Sequence, residues 1–177
     1  KSIKPQQRIS IIPRRGYQEK QMKILKILSH IVLTLLFVTY IVYQFRTDPI
    51  GLISGTKLSG EEVSYPADWA FTSEHSLIAV ETRIGNPHSV TTVCFVYEGD
   101  LYVPAQDAAT KDWPAYVMKD GRARVRVGEK VYPVMLTRAN DLDLGGVLAA
   151  VGSKYPQFSE ATDEQMASTW LFRVSSR

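Results

Sequence analysis

Three arginines alternate with apolar residues in Arg122-Ala123-Arg124-Val125-Arg126-Val127, so on a strand the three guanidinium groups share one face. Like charges at that spacing repel unless something opposes them. Two readings stay open: a solvated or carboxylate-paired face, or a site for an anion or a partner. The other chemistry-bearing residues are scattered. His75 and His88 lie thirteen positions apart without a Cys or His companion at ligand spacing, so no metal site is expected. Ser, His and Asp occur without a nucleophile elbow, and there is no phosphate loop, dinucleotide fingerprint or internal repeat, so no catalytic residue is assigned. Cys94 is the single cysteine, sits in an apolar run and reads as a core residue.

These residues are positioned by a chain in two parts. Ile27 to Phe45 carries no charged side chain over nineteen residues. As a helix it would span about 28 Å, close to the hydrocarbon thickness of a bilayer. A single membrane-spanning helix over 24–46 is expected, uncleaved because no small-residue cleavage site follows it. Division there separates the charge. Residues 1–46 carry nine Lys or Arg and one acid, a net 9 − 1 = +8, whereas residues 47–177 carry twelve and seventeen, a net 12 − 17 = −5. The acidic part excludes a nucleic-acid partner. The basic tail, 1–23, is expected to meet anionic lipid headgroups, and residues 1–21 of it to lack fixed structure by themselves. Basic residues in front of the helix place the tail in the cytoplasm and the following domain in the periplasm, across a bacterial inner membrane. Within the span, His30 and Thr34 are four residues apart and share a face suited to another helix, which points to integral membrane subunits as partners. His30 is also the one residue there that could ligate a haem or pigment metal.

Residues 47–65 hold glycines and a proline and read as a linker. A domain over 66–177 follows. Pro66–Ser76 predicts a short helix packing Trp69 and Phe71. Strands are expected over 77–82, 89–97, 101–103, 122–127, 130–138 and 170–174. In 89–97, Thr91, Val93, Phe95 and Tyr97 share one face, and Val90, Cys94 and Val96 the other. Glu98-Gly99-Asp100 and Gly128-Glu129 are hairpin turns. A helix capped by Asn140 or Asp141 runs to about Lys154, and Thr162 with Gln165 makes a capping box. The class is α+β: about six mostly antiparallel strands in a small barrel with short helices, preceded by the transmembrane helix.

The runs TRIGNPHSVTTVCFVYEGDLYVPA (82–105), DWPAYVMKDGRARVRVGEKVYPVMLTR (112–138), KYPQF (154–158) and WLFRV (170–174) resemble the split β-barrel superfamily of flavin and deazaflavin oxidoreductases. That superfamily includes pyridoxamine-phosphate-oxidase-like proteins and deazaflavin-dependent nitroreductases, and the chain is most similar to single-pass membrane members. The resemblance implies a cofactor cleft holding FMN or deazaflavin, with Arg83, His88, Ser89 and Trp113 around it, and a homodimer through the barrel. Asn86 and His88 stand where it would place basic side chains, leaving Arg83 as the nearby cation. Two functions therefore stand side by side: an accessory subunit of a larger membrane complex without cofactor, and a membrane-tethered oxidoreductase.

Overall fold

Alternation in the second part of the chain demands a sheet with one wet and one dry face, and in the computed structural model, which describes residues 15–44, 47–158 and 162–177, that sheet curls on itself. The chain divides into two units, Lys1–Phe45 and Arg46–Arg177.

In the first unit, helix α1 (Arg15–Gln44) begins well before the expected boundary. Lys20, Lys23 and Lys26 favour helix as well as charge, and Glu19 pairs with Lys23 one turn on at 3.2 Å. Residues 15–21, expected to be unstructured, are thus helical. The rest of the predicted tail, 1–14, lies outside the described residues. Gln18–Tyr43 has a mean hydropathy of 2.1 over its most apolar window and buries none of it inside the protein. Its polar side chains bond within the helix: Thr34 Oγ1 donates to the His30 carbonyl at 2.8 Å and Thr39 Oγ1 to Leu35 at 2.8 Å. A hydroxyl satisfied by its own helix can face lipid without an unpaired polar group.

The second unit contains β1 (Glu61–Glu62), β2 (Ile78–Thr82), β3 (His88–Thr92), β4 (Phe95–Tyr97), β5 (Asp100–Ala105), β6 (Arg122–Val127), β7 (Lys130–Ala139) and β8 (Trp170–Ser176). Helices α2 (Asp112–Lys119), α3 (Leu144–Lys154) and α4 (Asp163–Ser168) intervene. Seven strands pair antiparallel in the order β3-β2-β6-β7-β8-β5-β4, while β1 joins β7 in parallel. The expected strand over 89–97 is broken. Its halves, β3 and β4, lie at opposite ends of the sheet with only Val93 and Cys94 between them. Two ends joined by two residues must be neighbours in space, so the sheet closes into a split barrel. The predicted faces survive the break: Val90, Cys94 and Val96 join the barrel core, and Phe95 and Tyr97 pack outside it against α3.

The turns follow their residues. Gly128 takes φ +58 at the first position of the β6–β7 hairpin, and Asp143, not Asn140 or Asp141, caps α3 by accepting from Gly146 N at 2.8 Å. Thr162 and Gln165 form the capping box. Inside, Val80, Leu101, Val125, Val134 and Phe172 are closed off by Trp69 and Trp113.

Residues 47–65 are no linker. Thr47–Thr56 forms a hairpin, Gly55 and Ser89 exchange backbone hydrogen bonds at 2.8 and 3.0 Å, Leu58 is buried against Ala79 and Val131, and β1 follows. This strap covers the outer face of β2, which is why all five β2 residues are buried. Gly55 permits the crossing: a Cβ there would stand 2.4 Å from the Thr47 carbonyl oxygen.

Candidate functional site

The end of the sheet where β2 turns into β3 brings together several of the expected ligand residues. Arg83 leaves β2 with φ +55, and the Asn86 amide donates to its carbonyl at 2.8 Å, closing a tight turn over 83–86. Helix α2 lies against this turn. Its Tyr116 ring sits 4.2 Å below the Arg83 guanidinium and 5.5 Å from the His88 ring, edge to face. Arg83, Ile84, Gly85, Asn86, Tyr116, Lys119 and Asp120 line an open cleft of about 280 Å³. Asp120 is already held by Arg122 at 2.7 Å, which draws its carboxyl down to about 2. Arg83 and Lys119 therefore leave the cleft positive. The buried Arg83 Nε has no hydrogen-bond partner among the described residues. Burial, with the Arg83 charge beside it, holds His88 below its ordinary value, against a smaller opposing pull from Asp112. His88 is accordingly neutral near pH 7 and packs rather than pairs.

Of the four expected cofactor residues only Arg83 lines this cleft; His88 packs on Tyr116, and the other two lie elsewhere. Trp113 is 4% exposed, with its ring 5.1 Å from Phe172 in the barrel core. Ser89 is fully buried, held between β2 and the strap, and its Oγ lacks a partner among the described residues. A flavin or deazaflavin needs a slot for its ring as well as cations for its phosphate. The cleft falls at the bottom of the usual range for ligand pockets and has only Tyr116 as an aromatic wall. These residues fit an anion and do not fit the ring.

The arginine stripe is paired throughout. Arg122 holds Asp120, Arg126 holds Asp48 at 2.8 Å, and Arg124 reaches Glu62 at 3.4 Å. Arg124 also clamps Glu81 with two guanidinium nitrogens, and Glu81 is 1% exposed. The second oxygen of Glu81 accepts from the strap amide of Leu58 at 2.6 Å. Of the two readings of this stripe, the structure contains the carboxylate-paired one. Asp120 stands two residues before the stripe, but the other carboxylates come from β2, β1 and the strap, so no local pattern around Arg124 and Arg126 announces them.

A second cluster carries no sequence signal. At the break between β3 and β4 the Cys94 backbone has no strand partner. The Tyr155 hydroxyl lies 3.3 Å from its amide and 2.9 Å from its carbonyl, and also reaches the Ser76 carbonyl at 2.8 Å. Lys154 Nζ donates to the Thr72 carbonyl at 2.7 Å and lies 3.4 Å from Cys94 Sγ. Burial outweighs that ammonium and pushes the thiol above its ordinary value, so Cys94 is a weak nucleophile.

In the helix, His30 Nδ1 lies 2.7 Å from the Lys26 carbonyl, and the ring lies on the face shared with Thr34. No group of three or more His, Cys, Asp or Glu that could hold a metal ion occurs among the described residues.

No protein-family model and no curated protein matches the sequence. Solved structures do. A pyridoxamine 5'-phosphate oxidase-like protein from Listeria innocua is 14% identical, covering 61% of this chain and 89% of that one, with a TM-score of 0.47. A conserved hypothetical protein from Mycobacterium tuberculosis is 15% identical over 60% of this chain and 76% of its own, with a TM-score of 0.46. An F420-H2-dependent reductase is 16% identical over 57% and 95%, with a TM-score of 0.45.

Proposed function

We propose that the chain is a membrane-anchored accessory subunit of a larger integral membrane complex, its helix packed among other spans and its split barrel on the far side of the bilayer. The observation that carries this reading is the commitment of the would-be cofactor residues to the fold. Trp113 fills the core, Ser89 lies beneath the strap, and the arginines of the stripe each hold a carboxylate. A barrel built this way has a surface to offer and little machinery. The apolar helix supports the other half of the reading. It buries none of its most apolar window within the protein, and it presents the His30 ring on the face of Thr34. The positive charge that precedes the helix favours a cytoplasmic N-terminus and a periplasmic domain.

Purification of the full chain from its native membrane in mild detergent tests this. The expected result is a colourless protein that co-purifies with larger integral subunits and loses them when His30→Leu and Thr34→Leu are combined. A flavin absorbance band near one per chain refutes the reading, and so does a preparation without membrane partners. Light scattering on the same sample tests for a homodimer through the barrel.

One observation favours a ligand role: the unpartnered Arg83 Nε beside Lys119 in an open cleft. It supports binding of a phosphate or carboxylate group at this end of the sheet.

A further inference from the structure

The strap carries an apolar tip that the barrel does not use. Between Thr47 and Thr56 the chain doubles back as a short hairpin, closed at its base by Thr56 N donating to the Thr47 carbonyl at 2.6 Å. At its end Ile50 and Ile53 exchange backbone hydrogen bonds at 3.0 and 2.9 Å, around a two-residue turn of Gly51 and Leu52. Gly51 has φ +55, as the first central residue of a tight hairpin requires. Three large apolar side chains therefore project from one tip: Ile50 63% exposed, Leu52 106% and Ile53 47%. No charged residue occurs from Pro49 to Thr56. The tip is also fixed. Gly55 is paired to β3, and Asp48 is held by the Ser59 amide at 3.0 Å and by Arg126 at 2.8 Å.

An exposed, charge-free apolar tip costs solubility unless something covers it. Its covalent position says what. Ile50 follows Gln44, the last residue of the apolar helix, by six residues, a reach of roughly 20 Å at full extension. A tip tethered that closely to the end of a spanning helix stays beside the leaflet from which the helix emerges. Its backbone suits such a medium, because the reciprocal bonds of Ile50 and Ile53 satisfy groups that would otherwise be costly to dehydrate. Lys57, exposed just behind the hairpin, suits the headgroup layer.

We propose that Ile50, Leu52 and Ile53 form a second membrane contact, dipping into the headgroup–acyl boundary of the leaflet where α1 exits. The barrel is then held at two points. A single flexible tether would let it tumble, whereas a tether and a rigid wedge fix which side of the barrel faces the bilayer. This inference rests on the reading of α1 as a membrane span.

The full chain is reconstituted in phosphatidylcholine–phosphatidylglycerol vesicles carrying an environment-sensitive fluorophore at Leu52→Cys. A parallel sample carries it at Leu36→Cys, in the middle of the helix. Cys94 is fully buried, and the unsubstituted chain controls for its labelling. Lipids with spin labels placed shallow or deep in the acyl chain report depth. The expected result is strong deep-label quenching at position 36. Position 52 should show blue-shifted emission, quenched more by the shallow label than by the deep one. Adding Ile50→Asp and Ile53→Asp should abolish quenching at 52 and leave 36 unchanged. If 36 is quenched while 52 keeps the emission of a water-exposed dye, the wedge is refuted and the span stands. Blue-shifted emission at 52 without lipid quenching places a protein, such as a second copy, on the tip and equally refutes it. Absence of quenching at 36 overturns the span and the wedge together.

Discussion

The Glu81–Arg124 pair ties the strap to the barrel and yields the sharpest test of the fold. Glu81 is 1% exposed, Arg124 side-chain exposure is 11%, and the same carboxylate accepts from the Leu58 amide at 2.6 Å. Removing one partner of a buried, hydrogen-bonded ion pair leaves an uncompensated charge, at a cost of about 3–5 kcal/mol. Glu81→Leu belongs at the low end, about 3 kcal/mol, because Arg124 keeps the exposed carboxylate of Glu62 at 3.4 Å. Arg124→Met leaves a buried carboxylate with one backbone amide and should cost about 4 kcal/mol. The double variant buries no charge and loses mainly the acceptor for Leu58, about 2 kcal/mol. The signature is non-additivity, with the double variant more stable than either single one. In Tm, the single changes correspond to losses of roughly 10–15 °C for a domain of this size. Urea and thermal unfolding of the detergent-solubilised chain, followed by the fluorescence of the buried Trp69 and Trp113, read out these values. Additive single-variant losses, or an Arg124→Met variant within about 1 kcal/mol of the parent, would refute the claim that this pair is desolvated.

Four further outcomes follow from the same structure. Cys94 should resist thiol reagents in the native chain and react only at the rate of unfolding, since it is fully buried with its pKa pushed up; rapid stoichiometric labelling would contradict its placement. Acid should act in two windows. His88 has a lowered folded pKa, so its contribution is complete above 6.5 and is lost as pH falls below that value. Burial of Asp48 is outweighed by hydrogen bonds from Ser59 and Arg126, so its lowered pKa sustains a contribution above 3.8 that is lost as pH falls further. The first loss in urea midpoint should be missing in His88→Gln, and its persistence there would exclude His88 as the cause. Asp143→Ala removes the cap of α3 and should cost about 1 kcal/mol in urea unfolding. Gly55→Ala should free the strap, seen as faster amide exchange at Leu58, because the new methyl group would meet the Thr47 carbonyl; unchanged protection would show that the crossing has room.

Local physics was legible in the sequence wherever both halves of a structural signal lie within a few residues. The Arg122–Val127 alternation is strand β6, Gly128 turns it, and Thr162 with Gln165 begins α4. The long strand over 89–97 shows the opposite case. Nothing in SVTTVCFVY marks a break, because the group that makes the break tolerable is the Tyr155 hydroxyl, 61 residues onward. The strap failed for the same reason. A stretch with three glycines and a proline reads as linker until the buried acceptor that receives its amide, Glu81 of β2, is known. Its burial becomes evident only from the register that sets it opposite Arg124.

The candidate site was legible in parts that do not add up to a cofactor pocket, and the difference is instructive. Arg83 and His88 do meet, through Tyr116 of a helix whose sequence gave no reason to single that ring out. Trp113, three residues earlier on α2, is the aromatic that the family resemblance places at the cofactor, yet the turn of the helix sends it into the core and leaves Tyr116 at the cleft. A helix places residues three apart on neighbouring faces, so one small rotation of α2 decides which of the two rings meets a ligand. The same reasoning applies to the stripe. Three guanidinium groups on a strand invite an anion only if the neighbouring strands bring no acid, and here β1, β2, the strap and the α2–β6 turn each bring one. Charge read along one strand states what must be balanced. What balances it is set by the strands beside it.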